Sequence, residues 1–273
     1  MRMAKPSGFA SWQKKASLVG AFFVGAFWQC AALALCPSPI AAATYKVAQV
    51  VDGDTLRLGN GRSVRLIGIN APELGHAGRA SEPYAEAARR RLAALVEANG
   101  GVVGLVRGAE ARDRYGRLLA HAYGRDGDNL QARLLREGLG YHTAIAPNGR
   151  FATCLAQAEQ AARRARLGLW QGSPVLPARS LRRSGFALVK GRVTQVRRSN
   201  GAVSLLLDDT LRVRLPARLL RSAPRGLMDN LEGRTLEVRG WITRTRQAPG
   251  TASGKLRWQV LVSNWNMLER APG

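Results

Sequence analysis

The sequence predicts a mainly β chain with interspersed helices, folded as two small five-stranded barrels. Three observations carry that prediction. Short runs of alternating apolar and polar residues recur from Tyr45 to Leu268. Gly-containing turns such as Asn60-Gly61 punctuate them. Three longer stretches with helical spacing fall between residues 82 and 166.

In the first barrel, strand character runs through Tyr45 to Val51, Thr55 to Leu58 and Ser63 to Ile69. Glu82 to Glu97 has an apolar helical face at Ala87, Leu92, Leu95 and Val96, and Asn99-Gly100-Gly101 ends it. Strands near Val102 to Arg107 and Arg117 to Tyr123 follow. A helix from about Asn129 to Glu137 stops at Gly138, and another from Phe151 to Arg166 stops at Gly168, with Trp170 as a packing anchor. Residues 171–185, with Gly172, Pro174, Pro177 and an arginine cluster, read as a linker.

Residues 186–273 return to strand pattern: Leu188 to Val196, Ala202 to Leu207, Leu211 to Leu215, Thr235 to Thr243 and Leu256 to Val262, with a short helical stretch at Ala217 to Leu220. Five strands with an intervening helix predict a second small barrel of the oligonucleotide-binding type. Its Trp241, Trp258 and Trp265, with Arg239, Arg244, Arg246 and Arg257, fit a stacking platform for single strands and fit equally tryptophans in a core with arginines in solvent.

Charge narrows the partners. The chain has 42 Lys+Arg against 18 Asp+Glu, a formal charge of +24 in 273 residues. Such a field favours a polyanion: nucleic acid, an acidic polysaccharide or an anionic membrane surface. Arginine dominates the basic set and suits bidentate phosphate binding. No protein partner is evident.

Residues 1–43 read as a signal peptide or N-terminal anchor. Arg2, Lys5, Lys14 and Lys15 precede an apolar stretch from Ala16 to Cys36, and Ala41-Ala42-Ala43 offers a cleavage site before Thr44. The protein is therefore expected to be secreted or periplasmic, or membrane-anchored and facing outside the cytoplasm. Leu35 before Cys36 argues against lipid attachment. With Cys30 and Cys36 in the leader, Cys154 is expected to remain a single, inert, buried thiol.

Chemistry concentrates in two blocks, Val51-Asp52-Gly53-Asp54-Thr55 and Val64-Arg65-Leu66-Ile67-Gly68-Ile69-Asn70-Ala71-Pro72-Glu73, joined by Asp113-Arg114-Tyr115-Gly116-Arg117. A calcium or magnesium site needs converging oxygens, which Asp54, Asn70 and the Ala71 carbonyl can provide from neighbouring strands. Pro72 directs the chain so that Glu73 stands at a loop start, placed to hold and deprotonate water. Arg65 and Arg117 can clamp a phosphate. GxSxG, HExxH and P-loop signatures are absent from the sequence.

These motifs, with Leu134-Leu135-Arg136-Glu137-Gly138-Leu139 and Leu167-Gly168-Leu169-Trp170, resemble the staphylococcal-nuclease (thermonuclease) family over about residues 45–170, within a domain read as 44–170. The resemblance implies an oligonucleotide-binding barrel with three helices and a Ca2+-dependent phosphodiesterase acting on DNA and RNA. It places the metal carboxylate on Asp54, the phosphate arginines on Arg65 and Arg117, and the general base on Glu73, with Arg114 and Tyr115 flanking the nucleotide.

Two departures stand out. Asn70 occupies a position where the family usually has aspartate, which predicts weaker metal binding with retained catalysis. The family's tyrosines before a Pro-Asn pair are replaced by Thr143, Ala144, Ile145 and Ala146 ahead of Pro147-Asn148. The expected function is an exported metal-dependent nuclease. The alternatives are a catalytically silent nucleic-acid-binding protein and an envelope protein binding other polyanions.

Overall fold

The computed structural model describes residues 35–37, 42–76, 78–245 and 258–271. In the first domain β1 (Ala43–Val50), β2 (Thr55–Leu58), β3 (Ser63–Leu66) and the short β4 (Ile69–Asn70) precede α1 (Ala85–Ala98). Then come β5 (Val102–Arg112), β6 (Leu118–Tyr123), α2 (Leu130–Arg136), β7 (Tyr141–His142) and α3 (Ala152–Arg164). A closed barrel forms in the order β1-β2-β3-β6-β5, antiparallel throughout except for the parallel β3–β6 pair.

Local chemistry explains these elements. Asn60-Gly61 turns β2 into β3, with Gly61 at φ 78°, where a side chain would be strained. Gly68, at φ 89°, bends the chain between β3 and β4; a Cβ there would lie 2.2 Å from the Leu155 side chain. That bend sends Ile69-Asn70 out of the barrel to pair with β7, Asn70 opposite Tyr141. Asn129 caps α2 by accepting the Ala132 N–H at 3.0 Å. The core fills with Leu56, Leu58, Val64, Leu66, Leu92 and Leu134, each burial contributing about 1.5–3 kcal/mol. Trp170 is buried as an anchor.

The second domain contains β8 (Val175–Pro177), β9 (Gly185–Ser199), β10 (Ala202–Leu207), β11 (Leu211–Leu215), α4 (Ala217–Leu220), β12 (Thr235–Arg244), β13 (Trp258–Leu261) and β14 (Leu268–Arg270). They form a seven-stranded sheet in the order β14-β12-β13-β11-β10-β9-β8. Because β12 also pairs with β9, the contacts run in a circuit β9-β10-β11-β13-β12 and back to β9. The single parallel step in it is β11–β13, the counterpart of β3–β6.

Two expectations are corrected here. The stretch read as a linker is partly structural: β8 adds to β9 in parallel, and Ala178 and Leu181 are buried in the second core. Pro177 is tolerated because it ends an edge strand. Cys154 is not a single inert thiol: it forms a disulfide with Cys36, which is only 3% exposed against the first core. Most of residues 1–43 lies outside the described residues. Among the described residues no helix is long and apolar enough to cross a membrane.

The domains meet through α3 and the segment after β7. Ala144 and Ala152 pack into the second core. The Ala144 N–H donates to Met267 Sδ at 3.0 Å and the Ala146 N–H to Ser263 Oγ at 3.1 Å. Buried Glu159 of α3 pairs with buried Arg239 of β12, and Arg163 bonds Glu237 at 2.6 Å and Glu269 at 2.9 Å. Tyr141 stacks on Phe186 with ring centroids 6.0 Å apart, and Phe186 meets Trp241 edge-on at 5.1 Å.

Candidate active site

The turn from β1 to β2 holds the site's floor. Asp52 accepts the Asp54 N–H at 2.9 Å, a local bond that fixes the turn. Gly53 is required by crowding, since a Cβ there would lie 2.6 Å from the Ala71 side chain and 2.7 Å from that of Ala88. Asp54 is 1% exposed. Its carboxylate accepts the Ala71 N–H at 2.8 Å and the Thr55 hydroxyl at 3.1 Å, and it forms an ion pair with Arg65.

Arg65 is the hub. It projects from β3, directly paired with Thr55 of β2. Its guanidinium bridges Asp54 and the Asn70 side-chain oxygen at 3.1 Å, and also reaches the Ile69 carbonyl at 3.3 Å. Burial, opposed by Asp52 and reinforced by Arg117, lowers its pKa to about 10, so it remains charged at neutral pH.

Asp113 positions Arg117. It accepts the Arg117 backbone N–H at 2.9 Å and Nε–H at 2.7 Å, leaving the two terminal nitrogens of the fork outside that bond. Against the upward push of its partial burial, these bonds hold the Asp113 carboxyl below the usual range. Tyr115 is 68% exposed, with the guanidiniums of Arg114 and Arg117 over its ring at 4.8 and 5.6 Å. The pair Arg114 and Tyr115 thus offers an open face beside Arg117.

Glu73 stands at the rim, its loop tied to Glu82: the Glu73 N–H donates to the Glu82 carboxylate at 3.0 Å and the Glu82 N–H to the Glu73 carbonyl at 2.9 Å. Partial burial of its carboxyl, with Asp52 and Glu82 nearby, raises its pKa against the pull of Arg65 and Arg117. Asp52 is raised too, by burial first, against the same two arginines. A raised carboxylate facing two arginines is a suitable proton acceptor.

The residues expected to gather do so: Asp54, Arg65, Asn70 and Ala71 are directly bonded, and Glu73 and Arg117 lie within electrostatic reach. Asp52, Asp113 and Glu82 complete the set. The sequence signal for Asp113 was its place four residues before Arg117; Glu82 carries none. Among the described residues no three His, Cys, Asp or Glu side chains converge as a metal cluster. A hard cation would therefore rely on mixed oxygens. One guanidinium spans Asp54 and Asn70, so a carboxylate and an amide oxygen both face the same cationic group, with Asp52 beside them. That donor set fits an oxygen-seeking cation of low ligand charge.

Of the two readings open for the second domain's tryptophans and arginines, the stacking platform is not what the described residues form. Trp258 is buried, Trp265 donates its indole N–H to the Leu219 carbonyl at 3.1 Å, and Arg239 is locked in ion pairs. Trp241, 43% exposed, is the one tryptophan of that trio facing solvent. Arg246 and Arg257 lie outside the described residues.

Comparison with known proteins agrees with this geometry. A family model described as "Staphylococcal nuclease homologue" matches residues 63–172. The thermonuclease of Staphylococcus intermedius is 30% identical over 131 residues, covering 47% of this chain and 76% of that protein. The chain belongs to the staphylococcal nuclease family. The SPbeta prophage-derived endonuclease YokF of Bacillus subtilis (strain 168) is 33% identical over 55% of this chain, but the match spans only half of YokF. Endonuclease YncB of the same organism is 33% identical over 46% of this chain and 60% of its own length. In the segment that departs from the family's tyrosines, the Ala144 and Ala146 N–H groups bond Met267 and Ser263 of the second domain and Ala144 is buried in that core, so a bulky ring would not fit at 144, while Ile145 is 50% exposed.

Proposed function

We propose that this protein is an exported, metal-dependent nuclease that hydrolyses phosphodiester bonds of DNA and RNA. The observation that carries the reading is the Asp54–Arg65–Asn70 cluster with Glu73 at its rim and Arg117 nearby, a base and two phosphate-binding cations on one surface. Glu73 takes the proton of the attacking water. Arg65 and Arg117 bind the non-bridging oxygens and stabilise the charge that builds on phosphorus. Asp54, Asn70 and the Ala71 carbonyl, with help from Asp52, would hold Ca2+, which would supply further charge neutralisation there. Tyr115 and Arg114 flank the nucleotide by stacking and charge.

The Cys36–Cys154 disulfide supports action outside the reducing cytoplasm. The second domain's strand circuit, in the same order as the first barrel's, supports an oligonucleotide-binding-type barrel there as well.

The test is digestion of DNA and RNA with calcium or with chelator, with Glu73→Ala as control. Calcium-dependent cleavage that the substitution abolishes is expected. Calcium-independent cleavage, or full activity in Glu73→Ala, would overturn the mechanism. Binding without cleavage would favour a silent nucleic-acid-binding protein.

A further inference from the structure

The first described residues are built into the fold. The Leu35 N–H donates to the carboxylate of Asp128, which also pairs with Arg133 and is itself buried. The Leu35 carbonyl accepts the Asn129 N–H at 2.9 Å, at the cap of α2. The Leu35 side chain packs on the first core, and Cys36 is buried in its disulfide to α3. Cleavage after Ala43 would discard all of this. It would leave Cys154 without its partner and cut between the first two residues of β1, where Ala43 pairs with Leu105 and Thr44 with Gly104.

Directly upstream the sequence reads Ala32-Leu33-Ala34, small residues at the first and third positions before Leu35, at the end of the apolar run. We infer that the leader is cut between Ala34 and Leu35, and that Asp128 is the receptor for the new N-terminus. Water adds across the Ala34–Leu35 amide, giving a carboxylate on Ala34 and an ammonium on Leu35. The atom that donated one neutral N–H to Asp128 then donates as a cation, which makes the bond charge-assisted. The Cys36 and Cys154 thiols each release a proton, and their two electrons pass to a disulfide-bearing oxidant of the exporting compartment, which is reduced to thiols. Processing and oxidation together fasten the N-terminal segment to α2 and α3, whose Gln131 and Leu155 support the chain at Ile67 and Gly68 beneath the site.

The test is the intact mass and N-terminal sequence of the protein recovered after export of the full precursor. Expected are Leu35 as first residue, a mass two hydrogens below the fully reduced form, and no thiol reactive with Ellman's reagent before reduction. A first residue of Thr44, retention of residues 1–34, or a titratable thiol would overturn the inference. Asp128→Asn should lower Tm by several degrees in the exported protein and less in a form retaining residues upstream of Leu35; equal losses would contradict the ion pair. These readouts do not depend on cleavage of nucleic acid, so they separate this inference from the proposed activity.

Discussion

The two β domains share one circuit of strand pairings, yet their corresponding positions differ sharply. Near the start of β2, Thr55 faces Arg65 beside Asp54; near the start of β10, Val203 faces Leu215, and the preceding turn is Asn200-Gly201. The first pair builds a charged floor, and the second builds core, with Val203 and Leu215 both buried. The lesson is that the circuit provides placement while the charge that sets the two domains apart resides in a few strand-end residues. The second domain's contribution is support: it bonds the backbone of Ala144 and Ala146 and braces α3 through the buried Glu159–Arg239 pair and the Arg163 bonds.

The comparison can be broken or sharpened by substitution. Arg239→Ala leaves buried Glu159 unpaired at the domain boundary, so it should cost about 3–5 kcal/mol. Chemical denaturation should show the loss in both domains; a loss confined to the second would deny that it supports α3. Arg117→Ala should lower kcat about 10²–10³-fold with little change in Tm, because it removes one charge at the phosphate. Trp241→Ala, at an exposed position of the second domain, should leave kcat intact.

Acid should strike the first domain, which contains all three histidines. Burial, helped by Arg150 for one and Arg239 for the other, lowers the pKa of His121 to about 4 and of His142 to about 3. The unfolded chain therefore binds more protons between those values and about 6.5, and stability falls as pH drops through that window. For His121 alone the loss approaches about 3 kcal/mol at pH 4. Thermal melts from pH 7 to 4 check this, with His121→Gln flattening the slope. The smallest effect expected is at Asn70: Asn70→Asp restores a carboxylate and should lower the half-maximal calcium concentration several-fold, measurable by calcium titration of activity.

Much of this was legible in the sequence where the signal is local. The Asn60-Gly61 hairpin and the Ala-rich helices occur where pattern and spacing place them, and Asp54, Arg65 and Asn70 come together by direct bonds. What escaped depends on distant partners. Cys36 looked like part of an apolar leader because nothing near it reveals a bond to a residue 118 positions away. Val175-Leu176-Pro177 resembled linker because its strand character comes from lying beside β9. Arg239 looked like a solvent arginine because Glu159, its partner, lies 80 residues earlier.

The most direct measurement is the pH–rate profile of the wild-type protein beside Glu73→Gln. Burial and Asp52 raise the Glu73 carboxyl above its ordinary 4.5, so the base form appears only above that elevated pKa. Wild-type kcat/KM should rise through an acid limb centred above pH 4.5. Glu73→Gln should lose that limb together with about 10²–10⁴-fold of the rate, while its Tm is kept. A Glu73→Gln protein with wild-type rates and an unchanged acid limb would contradict the assignment of Glu73 as the base, and with it the placement of catalysis in the first barrel's charged floor.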